Sequence, residues 1–288
     1  MTGLEFDKGT FGPVAVLRSV WTDEIAAAMR SRQCVELELN YAKGWKGEDL
    51  SFLSNLHWLQ GLKITHWTIE SVERIHQLPQ LRELEVFTYC NTPLRFDSFP
   101  QLENCSLEWR SKAESVFDCL TLKKLFINLF KGKDLNSFKR LKSLESLALL
   151  GAPLETLKGI EPLTRLRSLR LGDLRKLFSL SGIEALHELE ELEVHTCRRV
   201  NSIEPIAALP KLQKLFIPNN GEIGSLKPID SIKNLRAVVF YESTNFLDGD
   251  LSPLLRQKHL TDVAFQNRRH YSHKSKEIQD LISKSNSP

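Results

Sequence analysis

The sequence has no long hydrophobic run, because no stretch of its 288 residues approaches the roughly 18 apolar residues of a membrane span. Its N-terminal segment also lacks the basic-then-apolar layout of a secretory signal peptide. Neither sign of charge dominates. There are 39 Lys and Arg against 36 Asp and Glu, and a net charge of +3 is too small to indicate nucleic-acid binding. We therefore expect a cytoplasmic protein that crosses no membrane and binds no nucleic acid.

Cysteine is scarce, and its pattern does not suggest a disulfide framework. The five cysteines are odd in number and include no C-x-x-C pair. They are Cys34, Cys90, Cys105, Cys119 and Cys197. Two of them, Cys34 and Cys105, replace aliphatic residues of the pattern described below, as buried small hydrophobic side chains do. We predict five free thiols, which fits a reducing compartment.

The common signatures of enzymes are missing as well. The sequence contains no H-E-x-x-H, no G-x-x-x-x-G-K-S/T and no G-x-S-x-G. His195 and Cys197 are close in sequence, but a catalytic dyad needs converging side chains, and these two are expected to point to different places. Glu83 and Glu85 should lie about 7 Å apart on a wetted strand face, where nothing would raise their pKa values. We predict no catalytic residue, no metal site and no cofactor, unless a site is assembled across repeats.

What the chain does have is a repeat. The pattern L-x-x-L-x-L, with other aliphatics allowed, returns about every 22 residues, a period typical of leucine-rich repeats. Eleven repeats begin at Cys34, Leu59, Leu81, Leu102, Leu122, Leu144, Leu166, Leu189, Leu212, Leu235 and Leu260. Such repeats stack into one continuous core, so the prediction is a single solenoid.

Each repeat combines a strand with a short return segment. In residues 189–194, Leu192 and Val194 should point into the core while Glu191 and Glu193 face solvent. The returns place apolar residues three apart, which suits short helices or 3₁₀ turns. We predict an α/β solenoid, with a curved parallel β-sheet on the concave face and short helices or 3₁₀ turns on the convex face.

The returns resemble those of the bacterial internalins, in which I-x-P-L recurs on the convex side. Here the motif is Ile160-Glu161-Pro162-Leu163, Ile203-Glu204-Pro205-Ile206, Leu226-Lys227-Pro228-Ile229 and Leu251-Ser252-Pro253-Leu254. The resemblance covers about residues 34–265 and implies the fold rather than a function. The signal sequence and wall anchor of secreted internalins are missing, so their role in host invasion is not implied.

The chain departs from this family at one repeat position. The family places Asn, sometimes Cys, three residues after the last strand aliphatic, where the side chain bonds neighbouring backbones. Only Cys197 and Asn220 clearly fill that place here. The other occupants include Trp67, Tyr89, Arg110, Phe130 and Leu174. Irregular turns are therefore expected in repeats two to seven.

Residues 1–33 are predicted to form an N-terminal cap with a degenerate first repeat. Phe11, Val14 and Val16 keep the repeat spacing, and Pro13 suits an edge strand because it cannot donate a ladder hydrogen bond. A helix is expected from Asp23 to Arg32, with Thr22 as its N-cap.

Residues 266–288 are predicted to form a C-terminal cap that covers the last repeat. A helix from Ser275 to Ser283 would place Ile278, Leu281 and Ile282 on one side. The alternative is a basic interaction patch built on four residues, namely Arg268, Arg269, His270 and His273.

Charge is unevenly distributed between the faces. The third, fifth, seventh and eighth residues of each repeat should line the concave face. The ten acids at these places are Glu36, Glu38, Glu83, Glu85, Glu108, Asp173, Glu191, Glu193, Glu242 and Asp262. The four bases are Lys63, Lys124, Arg170 and Lys214. Ten acids less four bases give −6, so the concave face is predicted to be acidic.

Aromatic residues lie among these acids, and exposed aromatics with polar surroundings commonly anchor protein interfaces. They are Tyr41, Phe87, Trp109, Phe126, Phe216 and Tyr241. Some of them could instead pack on neighbouring repeats. The predicted partner-binding residues are Tyr41, Glu83, Glu85, Phe87, Glu108, Trp109, Phe126, Arg170, Glu193, His195, Phe216 and Tyr241.

The sequence thus predicts a non-enzymatic protein-binding module, monomeric when free, that captures a partly basic protein on its concave face. A specific form of this hypothesis is a bacterial immunity-type inhibitor of a toxin that acts on nucleic acid. The alternative is a regulatory scaffold for an enzyme such as a phosphatase, which some similar short-repeat proteins bind.

Overall fold

The computed structural model of the protein describes residues 3–110 and 112–285. Residues 1–2 and 286–288, which belong to the two predicted end segments, lie outside the described residues. The chain forms two compact parts, an N-terminal part that ends at Ile127 and a C-terminal part that begins at Asn128.

Within its described residues, the N-terminal part contains seven strands in chain order, the last of which ends one residue past Ile127, together with one α-helix and short 3₁₀ returns. The strands are β1 (Leu4–Lys8), β2 (Pro13–Leu17), β3 (Glu36–Asn40), β4 (Gly61–Thr65), β5 (Glu83–Phe87), β6 (Asn104–Glu108) and β7 (Lys124–Asn128). The helix is α1 (Asp23–Ser31). The 3₁₀ segments are Tyr41–Lys43, Ser51–Asn55, Glu73–Gln77, Phe96–Ser98 and Glu114–Asp118.

The C-terminal part repeats the same arrangement. Its main strands are β8 (Ser146–Leu150), β9 (Ser168–Gly172), β10 (Glu191–His195), β11 (Lys214–Phe216), β13 (Ala237–Phe240) and β15 (Asp262–Phe265). A second, two-stranded sheet consists of β12 (Glu222–Ile223) and β14 (Asn245–Phe246). The helices are α2 (Ser252–Leu255) and α3 (Ser275–Ser285). The 3₁₀ segments are Asn136–Arg140, Ile183–Ala185, Glu204–Ala208 and Lys227–Ser231.

The strands pair in the register that the repeat predicts. Every strand from β3 onward in the main series begins two residues after the predicted first aliphatic of its repeat. In the C-terminal part, Leu147 pairs with Leu169, Leu169 with Leu192, and Leu192 with Leu215. All four leucines are buried. The parallel strands and 3₁₀ returns confirm the predicted leucine-rich-repeat fold.

The first strands differ from the prediction. β1 pairs antiparallel with β2, and β2 runs parallel to β3, so Pro13 does not lie on an edge strand. It is the first residue of β2 instead, where a missing N–H is also tolerated. Phe11 is only half-buried and lies in the hairpin loop rather than in the core. The strand β1 was not predicted, because a hairpin depends on its turn and carries no repeat signature.

The helix α1 lies where the sequence predicted it and ends one residue earlier, at Ser31. It buries Ile25 and Met29. Thr22 occupies the N-cap position with an extended backbone, but its side chain makes no capping hydrogen bond. The position of this helix therefore follows from its apolar face and first-turn acids rather than from a side-chain cap.

The turn after the strands is held by different residues in the two parts. In the C-terminal part, Asn220 donates from Nδ2 to the carbonyl of Val194 (2.6 Å) and accepts from the N–H of Cys197 (2.8 Å). In the N-terminal part, Arg110 occupies the equivalent place. Its guanidinium donates to the carbonyls of Thr88 and Cys90, each at 3.0 Å. Arg110 thus makes hydrogen bonds to the backbone at this repeat position, as an asparagine side chain would.

The tail after β15 contacts the last repeats through several groups. Gln279 of α3 donates from Nε2 to the carbonyl of Val263 (2.9 Å), and Ile278 and Ile282 are buried. Leu281 is 44% exposed, so it does not share their buried side as predicted. Arg268 also donates to backbone carbonyls of the preceding repeat. These contacts join the tail to the last repeats and engage Arg268, one residue of the alternative basic patch.

Candidate protein-binding face

In each part, one side of the strands faces away from the core, and we call this side the open face. All twelve predicted partner-binding residues are exposed or half-buried, and each lies in a strand or directly after one. Seven belong to the N-terminal part: Tyr41, Glu83, Glu85, Phe87, Glu108, Trp109 and Phe126. Five belong to the C-terminal part: Arg170, Glu193, His195, Phe216 and Tyr241. Each part thus carries its own group of predicted residues, and each group is described by itself below.

The aromatic residues of the N-terminal group gather around β6. Phe87 of β5 and Phe126 of β7 reach across that strand, with ring centroids 5.9 Å apart. Trp109 follows β6 directly, and its ring lies 5.7 Å from that of Phe117 in the next return. The structure thus pairs Phe87 with Phe126 and brings Trp109 against the next return.

A second set of aromatic residues joins Tyr41, which the sequence analysis predicted, to Trp67 and Tyr89, which it did not include among the binding residues. Tyr41, Trp67 and Tyr89 follow β3, β4 and β5, and we call them the aromatic ladder. Their ring centroids are separated by 6.1 Å and 4.7 Å in that order. The three side chains are 48%, 36% and 67% exposed. The sequence did contain a signal for two of these residues. Trp67 and Tyr89 occupy the repeat position that usually holds asparagine, and the repeat pattern does not require an aromatic residue there.

One of the predicted acids is not on the surface. Glu36 is buried, because the loop between β1 and β2 lies over it and the N–H of Phe11 donates to its carboxylate. Gly61 leaves the space that the side chain fills, since a Cβ there would lie 2.7 Å from Cγ of Glu36. Removing Glu36 from the ten predicted acids leaves nine against the same four bases.

Ion pairs neutralise part of the remaining acidic charge. Lys63 lies 3.4 Å from Glu83, Arg170 lies 2.6 Å from Glu193, and Lys214 lies 3.8 Å from Glu191. The Lys214–Glu191 pair is exposed on both sides, and such a pair contributes little to stability, on the order of 0–1 kcal/mol. These three bases are among the four already counted, so nine acids less four bases leave −5 at the predicted places instead of −6, through the burial of Glu36 alone.

Glu85 departs from its expected behaviour. Burial raises the pKa of its carboxyl above the ordinary value of 4.5, and nearby Lys63 only partly offsets this effect. The expectation of an unshifted carboxylate was wrong, because neighbouring strands shield this side chain from water. Glu85 pairs in register with Lys63 on one side and with Ser106 on the other.

In the C-terminal group, three predicted residues lie in one row across adjacent strands. Glu193 of β10 pairs in register with Arg170 of β9 and with Phe216 of β11. Nε2 of His195 lies 3.8 Å from Oε1 of Glu193. Tyr241 follows β13 and is 43% exposed. This group also combines charged and aromatic side chains, but it has fewer residues than the N-terminal group.

The structure offers no catalytic arrangement at His195 and Cys197. The Cys197 thiol points to backbone carbonyls, at 3.4 Å from that of His195 and 3.7 Å from that of Leu171. Burial raises its pKa to about 12, so the nucleophilic thiolate is scarce at neutral pH. Within residues 3–110 and 112–285, no group of three or more His, Cys, Asp or Glu is placed to hold a metal ion. No helix in the described part of the chain is long and apolar enough to cross a membrane.

No protein-family model matches the sequence, and no curated protein matches it significantly. Similar solved structures do exist. An internalin, inlF, from Listeria monocytogenes is 19% identical, with 81% of this chain and 76% of that chain covered and a TM-score of 0.57. The functional domain of InlJ from Listeria monocytogenes is 16% identical, with 84% and 49% covered and a TM-score of 0.58. A TDR receptor is 18% identical, with 85% and 45% covered and a TM-score of 0.62.

These similarities are to internalin-type and other proteins of the same architecture. The chain has the leucine-rich-repeat fold. It spans about half the length of the InlJ domain and of the TDR receptor. At identities below 20%, the neighbours show the fold alone.

Proposed function

We propose that the protein is a non-enzymatic binding module that holds a partly basic protein partner against its open faces. The observation that carries this proposal is the N-terminal group. There, exposed and half-buried aromatic rings lie among acidic side chains on a regular array of strands. Aromatic residues at the centre of a contact, with charge around them, are the usual anchors of protein interfaces.

The charge on the open faces supports a basic partner. Nine acids at the predicted places face four bases, so the net sign is negative although the whole chain carries +3. A phosphate backbone would meet repulsion there, since nucleic-acid binding requires Lys and Arg. A basic protein would instead be attracted, with faster association at low salt.

A specific form of the proposal is an immunity-type inhibitor of a toxin that acts on nucleic acid. An acidic face with aromatic anchors could occupy the basic surface with which such a toxin binds its substrate. All five cysteines are free and buried, which supports a reducing, cytoplasmic compartment for this role.

The test is capture of the partner with matched variants of the open face. We expect Trp109→Ala to weaken binding by roughly 2 kcal/mol or more, as loss of an interface anchor does. Reversing Glu83 and Glu85 to Lys should mainly slow association and flatten its salt dependence. The control is Lys176→Glu, an exposed residue of a return, which should leave capture unchanged.

The outcomes separate clearly in surface-binding kinetics. The proposal fails if Lys176→Glu abolishes capture while the three changes on the open face leave association and dissociation rates intact. For the immunity form, the captured protein should be a nuclease or a related enzyme, and adding the chain should inhibit it. A captured partner that acts on no nucleic acid overturns that form.

A further inference from the structure

The leucine-rich-repeat fold does not require aromatic side chains at the positions of the aromatic ladder. Tyr41, Trp67 and Tyr89 lie on turns that follow the strands, and all three rings are exposed. In the leucine-rich-repeat pattern the turn place of Trp67 and Tyr89 takes a small polar residue. Tyr41 also contacts buried His66, with ring centroids 6.0 Å apart, and this contact fixes one end of the ladder. The rings are thus held in place yet open to solvent.

Acidic groups lie next to the ladder. The hydroxyl of Thr68, which follows Trp67, donates to Oε1 of Glu48 at 2.8 Å. Glu48 lines a groove of about 700 Å³, whose walls also include Leu50 and Ser71. The charged residues of that groove are Glu48, Asp49, Glu70, Glu73 and Arg74. Four acids against one base give the groove a negative charge, and Glu48 connects it to the residue that follows Trp67.

The four acids of the groove are exposed. Hydrogen bonds from Ser51 lower the pKa of Asp49, and a hydrogen bond from Arg95 lowers the pKa of Glu73. Glu73 is paired with Arg95 at 2.6 Å, so three acids and Arg74 remain in the groove, which keeps a negative charge. The ladder and the groove together favour a positively charged, planar group.

The spacing of the rings determines how such a cation can bind. Trp67 and Tyr89 are 4.7 Å apart and tilted by 30°, which leaves no room between them. A guanidinium can stack on their outer faces and at the same time donate to a carboxylate, whereas an ammonium cannot stack. The same part of the chain already uses this contact internally, because the guanidinium of Arg82 lies 4.0 Å from the ring centroid of Phe11.

We infer that the aromatic ladder, with the acidic groove beside it, binds arginine side chains of an extended segment of the partner protein and prefers them to lysine. The inference rests on the proposed function, since it names the chemistry of the partner. It adds a contact surface at the strand ends that is separate from Phe87 and Phe126.

The experiment uses two synthetic peptides of equal length and charge, one of arginines and one of lysines, each with glycine spacers. Binding to the whole chain is measured by calorimetry at about 0.15 M salt. We expect the arginine peptide to bind about tenfold more tightly, as two stacked guanidinium groups would provide. Trp67→Leu should reduce this preference to about twofold or less and leave binding of the lysine peptide nearly unchanged.

The matched control is Phe178→Leu, which removes another exposed ring, 48% exposed, from a return of the C-terminal part. It should keep the preference. Glu48→Gln should weaken both peptides equally. Equal affinity of the unmodified chain for the two peptides, or binding of neither, overturns the inference, as does an unchanged preference in Trp67→Leu. Thermal melts confirm that each variant is folded.

The proposed function is tested separately by Trp109→Ala with the captured partner. If Trp109→Ala weakens capture and the peptides show no preference, only the arginine inference fails. If Trp109→Ala and the reversal of Glu83 and Glu85 have no effect on capture, the proposed function fails whatever the peptides do.

Discussion

At the scale of the residue, one backbone position recurs through the C-terminal part. The eighth residue of six successive repeats has a positive φ between 52° and 65°. These residues are Leu129, Gly151, Asp173, Thr196, Asn219 and Glu242. Glycine, asparagine and aspartate tolerate this conformation, but a β-branched residue does so at a cost. The repeat therefore imposes this turn geometry even on residues for which a positive φ is unfavourable.

We predict opposite effects of two substitutions at this position. Thr196→Gly should raise the free energy of unfolding by about 0.5–1 kcal/mol, because it removes the Cβ from a left-handed residue. Gly151→Ala should lower it by about 1–2 kcal/mol for the converse reason. Urea denaturation measures both. A loss of stability in Thr196→Gly would show that its 3.3 Å hydrogen bond from Asn219 matters more than the backbone.

The raised pKa of Glu85 gives a second prediction at this scale. In the free protein, burial keeps its pKa above 4.5, and a bound cationic partner would favour the charged form and lower it. Affinity should therefore be full above the raised pKa and fall as the pH drops through it. Glu85→Gln should reduce this dependence. Calorimetry in buffers of different ionisation enthalpy would detect the released proton, and its absence would place the partner away from Glu85.

At the scale of the element, the strands are tied together by aligned leucines. Leu169 of β9 is fully buried between Leu147 of β8 and Leu192 of β10. Neighbouring strands are hydrogen-bonded on both sides, so they cannot move inward to fill a missing side chain. The core of each repeat therefore depends on its neighbours.

Leu169→Ala should lower the free energy of unfolding by about 2–5 kcal/mol, the range for a buried leucine whose cavity does not collapse. Chemical denaturation followed by circular dichroism measures the change. The exposed Leu129, truncated in the same way, is the control and should lose about 1 kcal/mol or less. Equal losses in the two variants would contradict the placement of Leu169.

The elements show which parts of the structure a sequence can predict. The period-two alternation within each repeat located β3 and its successors, because burying one face of a strand fixes its register. The hairpin β1–β2 and the burial of Glu36 depend on a turn and on contacts distant in sequence, which no repeat encodes. The hydrogen bonds of Arg110 to the backbone were also not predicted, because an arginine at the repeat position that usually holds asparagine has no recognisable sequence pattern. The twelve site residues were placed on the surface, but their contacts, such as that of Trp109 with Phe117, were not predictable.

At the scale of the whole molecule, both the sequence and the structure bear on the redox state of the cysteines. All five are free and buried, and burial is the main cause that raises the pKa of the thiols of Cys34, Cys105, Cys119 and Cys197. Buried thiols with raised pKa values react slowly with oxidants. These four thiols are thus suited to stay reduced, whereas the pKa of Cys90, despite its burial, is lowered by hydrogen bonds from Thr88 and Arg110.

We predict that five thiols react with a chromogenic thiol reagent after denaturation without reductant, and that in the native state most react slowly. The expected number follows from five free cysteines. Recovering one or three thiols would reveal disulfides and would argue against the proposed reducing compartment. Mass spectrometry after alkylation would then identify the paired residues.

The hairpin at the start of the chain also bears on self-association. Among the described residues, β1 pairs with β2 only, and its outer edge could in principle accept a strand of another molecule. That edge carries Glu5, Asp7 and Lys8 in five residues, and charges on a short edge strand oppose pairing with a second copy. A strand such as β2, with buried Val14 and Val16, would pair far more readily with a second copy if it lay at the edge of the sheet. The charges on β1 therefore oppose the addition of a further strand at this edge of the sheet.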